Sequence, residues 1–293
     1  MKEILKKVRK LELKIRRRVN NTFAGEYHTA FKGQGLEFDE VRQYQYGDEI
    51  RTIDWNVTAR SNGVFVKKFK EERERTLFVL FDISGSEDFG NEQENKLMIG
   101  TEIASILAFS ALKNNDKIGM ATFSDQIEQF YAPQKGKKHV LAIIRSLLTH
   151  TAHSKGTNLA LALDFIRKTQ KRKSILLIIS DFLAEDYTKS LINLSRKHEV
   201  ILIRLFNPRE VLTQGFGTVP TIDLETGEIA WIHAGNSQHQ QQLSLHFEQI
   251  EKNLTHLSHK YEVGYISVNT QIDYFPVLEG YFKRRIAQIK RRS

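Results

Sequence analysis

Two short apolar runs, residues 77–81 and 175–179, limit the possible folds of this chain more than any other feature. Both are apolar at every position, and both run straight into oxygen-bearing side chains: Asp82 after the first, Ser180-Asp181 after the second. A strand that is apolar on both faces must be covered on both faces, which points to a parallel sheet between helical layers. The flanking sequence repeats the pattern. It predicts strands over 76–82, 117–123, 127–131, 174–180, 200–206 and 262–268. Apolar residues at helical spacing predict helices over 96–113, 138–148, 158–169, 187–197, 237–260 and 275–290. Residues 219–223 and 228–232 flank Glu225-Thr226-Gly227 and read as a hairpin. Right-handed crossovers then build a doubly wound, mainly parallel α/β domain over 76–293. Ligands of such domains bind beyond the carboxyl ends of the strands, where Asp82 and Asp181 stand.

Residues 1–75 read as a second part, a basic helix followed by a segment of different texture. Ile4, Val8, Leu11, Ile15 and Val19 recur at helical spacing, so the first helix has an apolar face that docks on the protein's own body. The charge is concentrated at the ends. Residues 1–20 hold nine Lys/Arg against two Glu, and residues 283–293 hold six Lys/Arg and no acid. With a formal net charge of +9, the stretch between is mildly acidic. Binding of nucleic acid or an anionic membrane surface through these tails is therefore an alternative function. No aromatic residue interleaves the basic positions of the first tail, which disfavours stacking on single strands. Residues 21–75 mix acids and arginines with aromatics and include a strand over 64–70. They read as a capped, salt-bridged segment that packs Phe38, Tyr44, Ile53 and Trp55 onto the following domain.

The chain has no cysteine, so disulfides and thiolate metal sites are excluded, in keeping with a reducing cytoplasm. The N-terminus never reaches an apolar core of signal-peptide length, and the apolar runs are far too short to span a bilayer. A cytoplasmic protein is expected. His150 and His153, and likewise His256 and His259, lie three apart, but no third ligand has a useful spacing, so they read as surface histidines.

Three separated segments carry the chemistry: Asp82-Ile83-Ser84-Gly85-Ser86, Gly156-Thr157-Asn158 and Ser180-Asp181. An aspartate with serines at +2 and +4, on a loop leaving a strand, can turn three side chains toward one point. Thr157 follows a glycine and precedes an apolar helix. Asp181 ends a second strand and can hold metal-bound water. Carboxylates and hydroxyls without nitrogen or sulfur suit a hard cation: magnesium, or another divalent ion such as manganese or calcium. Singly, these residues could be helix caps.

This pattern resembles the metal-ion-dependent adhesion site of von Willebrand factor A domains. Upstream, Glu37-Phe38, Arg42, Tyr44, Gly47-Asp48, Arg51, Ile53-Asp54-Trp55, Ala59-Arg60, Val66-Lys67 and Phe69 resemble the domain-of-unknown-function-58 family. The resemblance implies a von Willebrand factor A-like fold and the ligand set Asp82, Ser84, Ser86, Thr157 and Asp181. It also implies association with MoxR-type AAA+ ATPases, thought to act in assembly of complexes or metal insertion. Relatives often carry methionine after the last serine. Here Glu87-Asp88 follows, and these acids could strengthen cation binding or repel an acidic partner. The membrane helices of longer relatives are also absent from the N-terminal stretch.

The expected function is thus a non-enzymatic adaptor. It would use a divalent ion to engage an acidic residue of a protein partner, a MoxR-type ATPase or its client. A magnesium-dependent phosphatase with Asp82 as nucleophile is the other alternative, but such enzymes need a second aspartate at +2, where this chain has Ser84.

Overall fold

The fold is that of a computed structural model, which describes residues 9, 11–15, 18, 19, 21–31, 36–71, 75–88, 95–149, 152–210, 218–222, 229–233 and 237–292. The chain divides into two compact units, one made of Met1–Ala30 with Thr76–Ser293, the other of Phe31–Arg75. The described residues before Ala30 group with the large unit instead of with residues 31–75, because their apolar stripe is buried there.

That stripe is the first element of the large unit. Leu11, Ile15 and Val19 are buried, while Ile4 and Val8 lie outside the described residues. Helix α1 (Asn21–Ala30) follows. Its Phe23 and Tyr27 pack edge-on against Phe282.

The small unit contains β1 (Leu36–Gln43), the four-residue helix α2 (Trp55–Thr58) and β2 (Phe65–Glu71). β1 and β2 pair antiparallel, with a register shift between Phe38 and Glu40. Sequence periodicity misses β1, because this irregularity breaks the alternation of its apolar positions. The capped, salt-bridged reading of the segment holds. Asp54 Oδ1 accepts from Asn56 N and Val57 N, closing the start of α2. Arg42 grips Asp48 with both guanidinium nitrogens, at 2.8 and 2.6 Å. Its expected packing is corrected at Trp55, which is 67 % exposed. Asp54, the capping residue, is the one turned inward. Tyr44 and Ile53 are half-buried, and the side chain of Phe38 lies outside the described residues.

The remaining elements of the large unit run in chain order. They are β3 (Thr76–Asp82), α3 (Lys96–Lys113), β4 (Lys117–Phe123), β5 (Ile127–Gln134), α4 (Lys137–Thr149) and α5 (Leu159–Thr169). Then come β6 (Ile175–Ser180), α6 (Thr188–Ser195), β7 (Glu199–Phe206), β8 (Thr218–Ile222) and β9 (Ile229–His233). The long helix α7 (Ser237–Tyr261), β10 (Gly264–Asn269) and α8 (Phe275–Arg292) complete it.

Six strands form one sheet in the order β10-β7-β6-β3-β4-β5. Every neighbouring pair is parallel except β4 with β5, so an antiparallel strand closes one edge. This is a doubly wound, mainly parallel α/β sheet, as the sequence pattern predicts. β3 and β6 sit side by side in its middle, buried along almost their whole length, as two-faced apolar strands must be. On one face Phe78, Leu80, Leu176, Ile178 and Leu202 meet Leu163, Ile166, Leu191 and Leu254 of the covering helices. On the other, α3 comes so close that a Cβ at Gly100 would lie 2.6 Å from the Phe81 ring. β8 and β9 pair as the expected hairpin; its turn, Glu225-Thr226-Gly227, lies outside the described residues.

Candidate metal centre

Asp82 ends β3 and Ser180 ends the neighbouring β6, so the parallel register brings them together at the carboxyl edge of the sheet. Ser180 Oγ donates to Asp82 Oδ2 at 2.8 Å. The chain leaving β3 turns sharply, and Ser84 N donates to Asp82 Oδ1 at 3.0 Å. Ser86 stands on the 3-10 turn Gly85–Asp88. Its hydroxyl lies 3.2 Å from that of Ser84, so the two oxygens of the first motif converge. The side chains of Glu87 and Asp88 lie outside the described residues.

The second motif reaches the same edge through backbone bonds. Gly85 N donates to Lys155 O at 2.8 Å, and Asn158 N donates to Ser124 O at 2.9 Å. These bonds tie the loop bearing half-buried Thr157 both to the Ser84–Ser86 turn and to the end of β4. Asn158 then caps α5, its Oδ1 accepting from Leu161 N. Asn158 is thus the helix cap, and Thr157 is spared that role.

Glu128, which the sequence did not single out, clamps this loop. Its carboxylate accepts from Ser124 Oγ at 2.6 Å, from His153 N at 3.0 Å and from Ser154 N at 3.3 Å. His153 Nδ1 lies 2.6 Å from its other oxygen. Burial raises the carboxyl pKa, but this ring of donors outweighs burial and brings it down to about 2.

Asp181 is placed beside the first motif but faces a different partner. Its Oδ1 accepts from Leu183 N at 3.1 Å and its Oδ2 from the ammonium of Lys96 at 2.8 Å. With one oxygen held by the Lys96 ammonium, Asp181 suits an outer position, holding water around an ion, better than direct coordination. Lys96 Nζ also lies 2.6 Å from Glu210 Oε1, and the lysine is fully buried. Neither Lys96 nor Glu210 was recognised from sequence, although a signal existed. Lys96 falls on the inward stripe of α3 with Ile99, Ile103 and Leu107, where only an apolar or paired residue belongs.

Burial and the Asp181 carboxylate both push the Asp82 carboxyl above the usual range, against hydrogen bonds from Ser84 and Ser180. Two buried carboxylates that repel each other across a strand edge leave a local shortage of positive charge. Among the described residues, no group of three or more His, Asp and Glu could hold a metal ion. A cation at this edge would therefore rely on the Ser84 and Ser86 hydroxyls and the Asp82 carboxylate, a sparse set of hard oxygen donors. The arrangement fits that role. It fits a phosphoryl-accepting nucleophile poorly, since Asp82 is fully buried and holds two donors. His153, His256 and His259 are exposed as expected, and His150 lies outside the described residues.

Comparison with known proteins agrees with the upstream motif. The family described as "Protein of unknown function DUF58" matches residues 40–252, most of the chain. The chain belongs to the DUF58 family. Among curated relatives, Rv1480 of Mycobacterium tuberculosis (strain H37Rv) is 28% identical over 225 residues, 76% of this DUF58 chain and 71% of that protein. Among solved structures, BatB from Bacteroides thetaiotaomicron aligns with a TM-score of 0.44 at 13% identity, over 73% of this chain and 99% of its own. The SpRpn10 VWA domain aligns with a TM-score of 0.42 at 11% identity, over 72% of this chain and 95% of its own. Among the described residues of this DUF58 protein, no helix is long and apolar enough to cross a membrane.

Proposed function

We propose that this protein is a metal-dependent protein–protein interaction module, an adaptor that uses a divalent cation, magnesium first, to engage an acidic residue of its partner. The observation that carries this reading is the convergence of the Ser84 and Ser86 hydroxyls on the turn that follows buried Asp82, whose Oδ1 accepts from Ser84 N, beside Asp181. Asp82 and the two serines would face the ion, Thr157 would reach it from the neighbouring loop, and Asp181 would hold its water. Bound there, a divalent ion would keep residual positive charge for an incoming carboxylate.

A MoxR-type AAA+ ATPase or its client is the partner that the family resemblance suggests, with assembly or maturation of protein complexes as the task. Such recognition requires no nucleophile or base, and the protein is proposed to be non-catalytic. A cytoplasmic setting belongs to the same reading, since a chain with no cysteine suits a reducing compartment.

The test is capture of the cognate ATPase by the immobilised protein in magnesium, in chelator, and with Asp82→Ala. Capture only by the wild type in magnesium is expected. Equal capture in all three conditions would defeat the proposal.

A further inference from the structure

Lys96 is an unusual residue for its place. It is the first residue of α3, directly after the cap Asn95, whose side chain accepts from Met98 N. The start of a helix is its positive end, so an ammonium there opposes the helix dipole. It is also fully buried, and taking an ammonium out of water costs several kcal/mol unless it is well paired. An apolar side chain at this position would avoid both penalties.

The partners of Lys96 come from two strands of the same sheet edge. Asp181 follows β6, and Glu210 stands on the turn Pro208–Glu210 that follows β7, the next strand along. Glu210 is itself anchored, its Oε2 accepting from Asn207 N at 3.3 Å. Burial raises the Glu210 carboxyl and Lys96 draws it back down, while Asp181 acts on both Asp82 and Glu210. Asp82, Asp181, Lys96 and Glu210 thus form one electrostatic row across β3, β6 and β7.

We propose that the Lys96–Glu210 pair sets the charge of the cation site: Lys96 is a built-in cation that offsets one carboxylate, so the row of three carboxylates and one ammonium is matched by a doubly charged ion. This rests on the metal-site reading of Asp82, Ser84 and Ser86 given above. Counted over these four described residues, with Asp82 ionised, the wild-type row has a formal charge of −2. Replacing Lys96 with a neutral residue makes it −3, and neutralising Glu210 makes it −1. Lys96 and Glu210 act on the ion through Asp181 and through space. They are charge-setting residues and not ligands.

The experiment measures binding of Mn2+ by calorimetry and of Tb3+ by luminescence to the full chain. The variants are Lys96→Met, Glu210→Gln and the double variant. Lys96→Met should bind Mn2+ roughly a hundredfold or more tightly and Glu210→Gln more weakly by a similar factor, the scale of one unit charge acting on a doubly charged ion at roughly 10 Å in an effective dielectric of about 20. The double variant should return to near the wild-type affinity. The ratio of Tb3+ to Mn2+ affinity should rise in Lys96→Met and fall in Glu210→Gln. A merely structural role would weaken both ions together and leave that ratio unchanged, which would overturn the proposal, as would Mn2+ affinities all within about twofold. Should Lys96→Met fail to fold, the Glu210→Gln ratio decides alone. A wild type that binds neither ion would sink the metal-site reading itself, a result separate from wild-type binding with no response to the charge variants.

Discussion

At the scale of single residues, the buried charges carry most of the consequences. His198 lies just after α6, 3 % exposed, and neither ring nitrogen has a hydrogen-bond partner among the described residues. Burial, with a smaller effect from Lys197, lowers its pKa from 6.5 to about 4. A lowered histidine pKa means that the unfolded chain takes up the proton first. His198 therefore adds no pH-dependent cost above about pH 6.5, and it destabilises the fold progressively as pH falls from there toward 4. Between pH 7.5 and pH 5 the loss should be about 2 kcal/mol. His198→Leu should remove most of this pH dependence, as read from urea midpoints at the two pH values. Glu128 has the same sign over a lower pH range. Its carboxylate is held down to about 2, so the stability it provides is present above the unfolded pKa and disappears as pH falls from about 4.5 toward 2. Glu128→Ala should free the loop before Thr157, giving faster amide hydrogen exchange at His153 and Ser154, whose N–H groups it binds.

At the scale of elements, the close approach of α3 to β3 positions the site. Gly100 is helical, so replacement by alanine would gain up to about 1 kcal/mol in intrinsic propensity. The added methyl would press on the fully buried Phe81 ring and on Leu205, however, and overpacking of this kind costs roughly 1–3 kcal/mol. Phe81 is rigidly enclosed next to Asp82, so the clash should win. Gly100→Ala is expected to lower the thermal midpoint by a few degrees. An unchanged midpoint in calorimetry would show that the helix can retreat without strain. The element-level reading of the sequence was sound where strands had two apolar faces, as in β3, β6 and β7. It failed at β1, where a register shift interrupts the alternation and leaves mixed charges with no clear period. β5 was found, although only pairing with β4 reveals it as the antiparallel edge.

At the scale of the whole molecule, described basic residues of both ends make contacts within the large unit. Lys14 pairs with Glu102 at 2.5 Å, and Tyr274 donates to the other oxygen of that carboxylate at 2.6 Å, so the N-terminal helix, α3 and the start of α8 share one buried acid. In α8, Leu278 and Phe282 are buried and Arg285 reaches Ala30 O at 2.9 Å. Phe23→Ala, which removes the ring facing Phe282 and Phe275, should cost about 3–5 kcal/mol of stability in chemical denaturation. Metal binding should act on the same unit. A cation that binds only the folded edge stabilises it by about 2.7 kcal/mol at a hundredfold excess over Kd. Magnesium should therefore raise the thermal midpoint of the wild type, chelator should reverse the rise, and Asp82→Ala should show neither response.

The order of buried strands and helices, and the placing of two oxygen-bearing motifs at strand ends and a third before a helix, were legible in the sequence alone, because an apolar run with no polar face has only one kind of place to go. The docking of the N-terminal stripe was legible for the same reason. The sequence could not show which distant charges would meet. Lys96, Asp181 and Glu210 lie on three separate elements, and only the parallel order β7-β6-β3 with α3 across it brings the ammonium between the two carboxylates. Trp55 was likewise decided by tertiary structure: its aromatic character suggested burial, and the cap formed by Asp54 turned it out to solvent. Periodicity reports how much surface each element must hide, whereas pairing of charges depends on distances that exist only once the elements have packed.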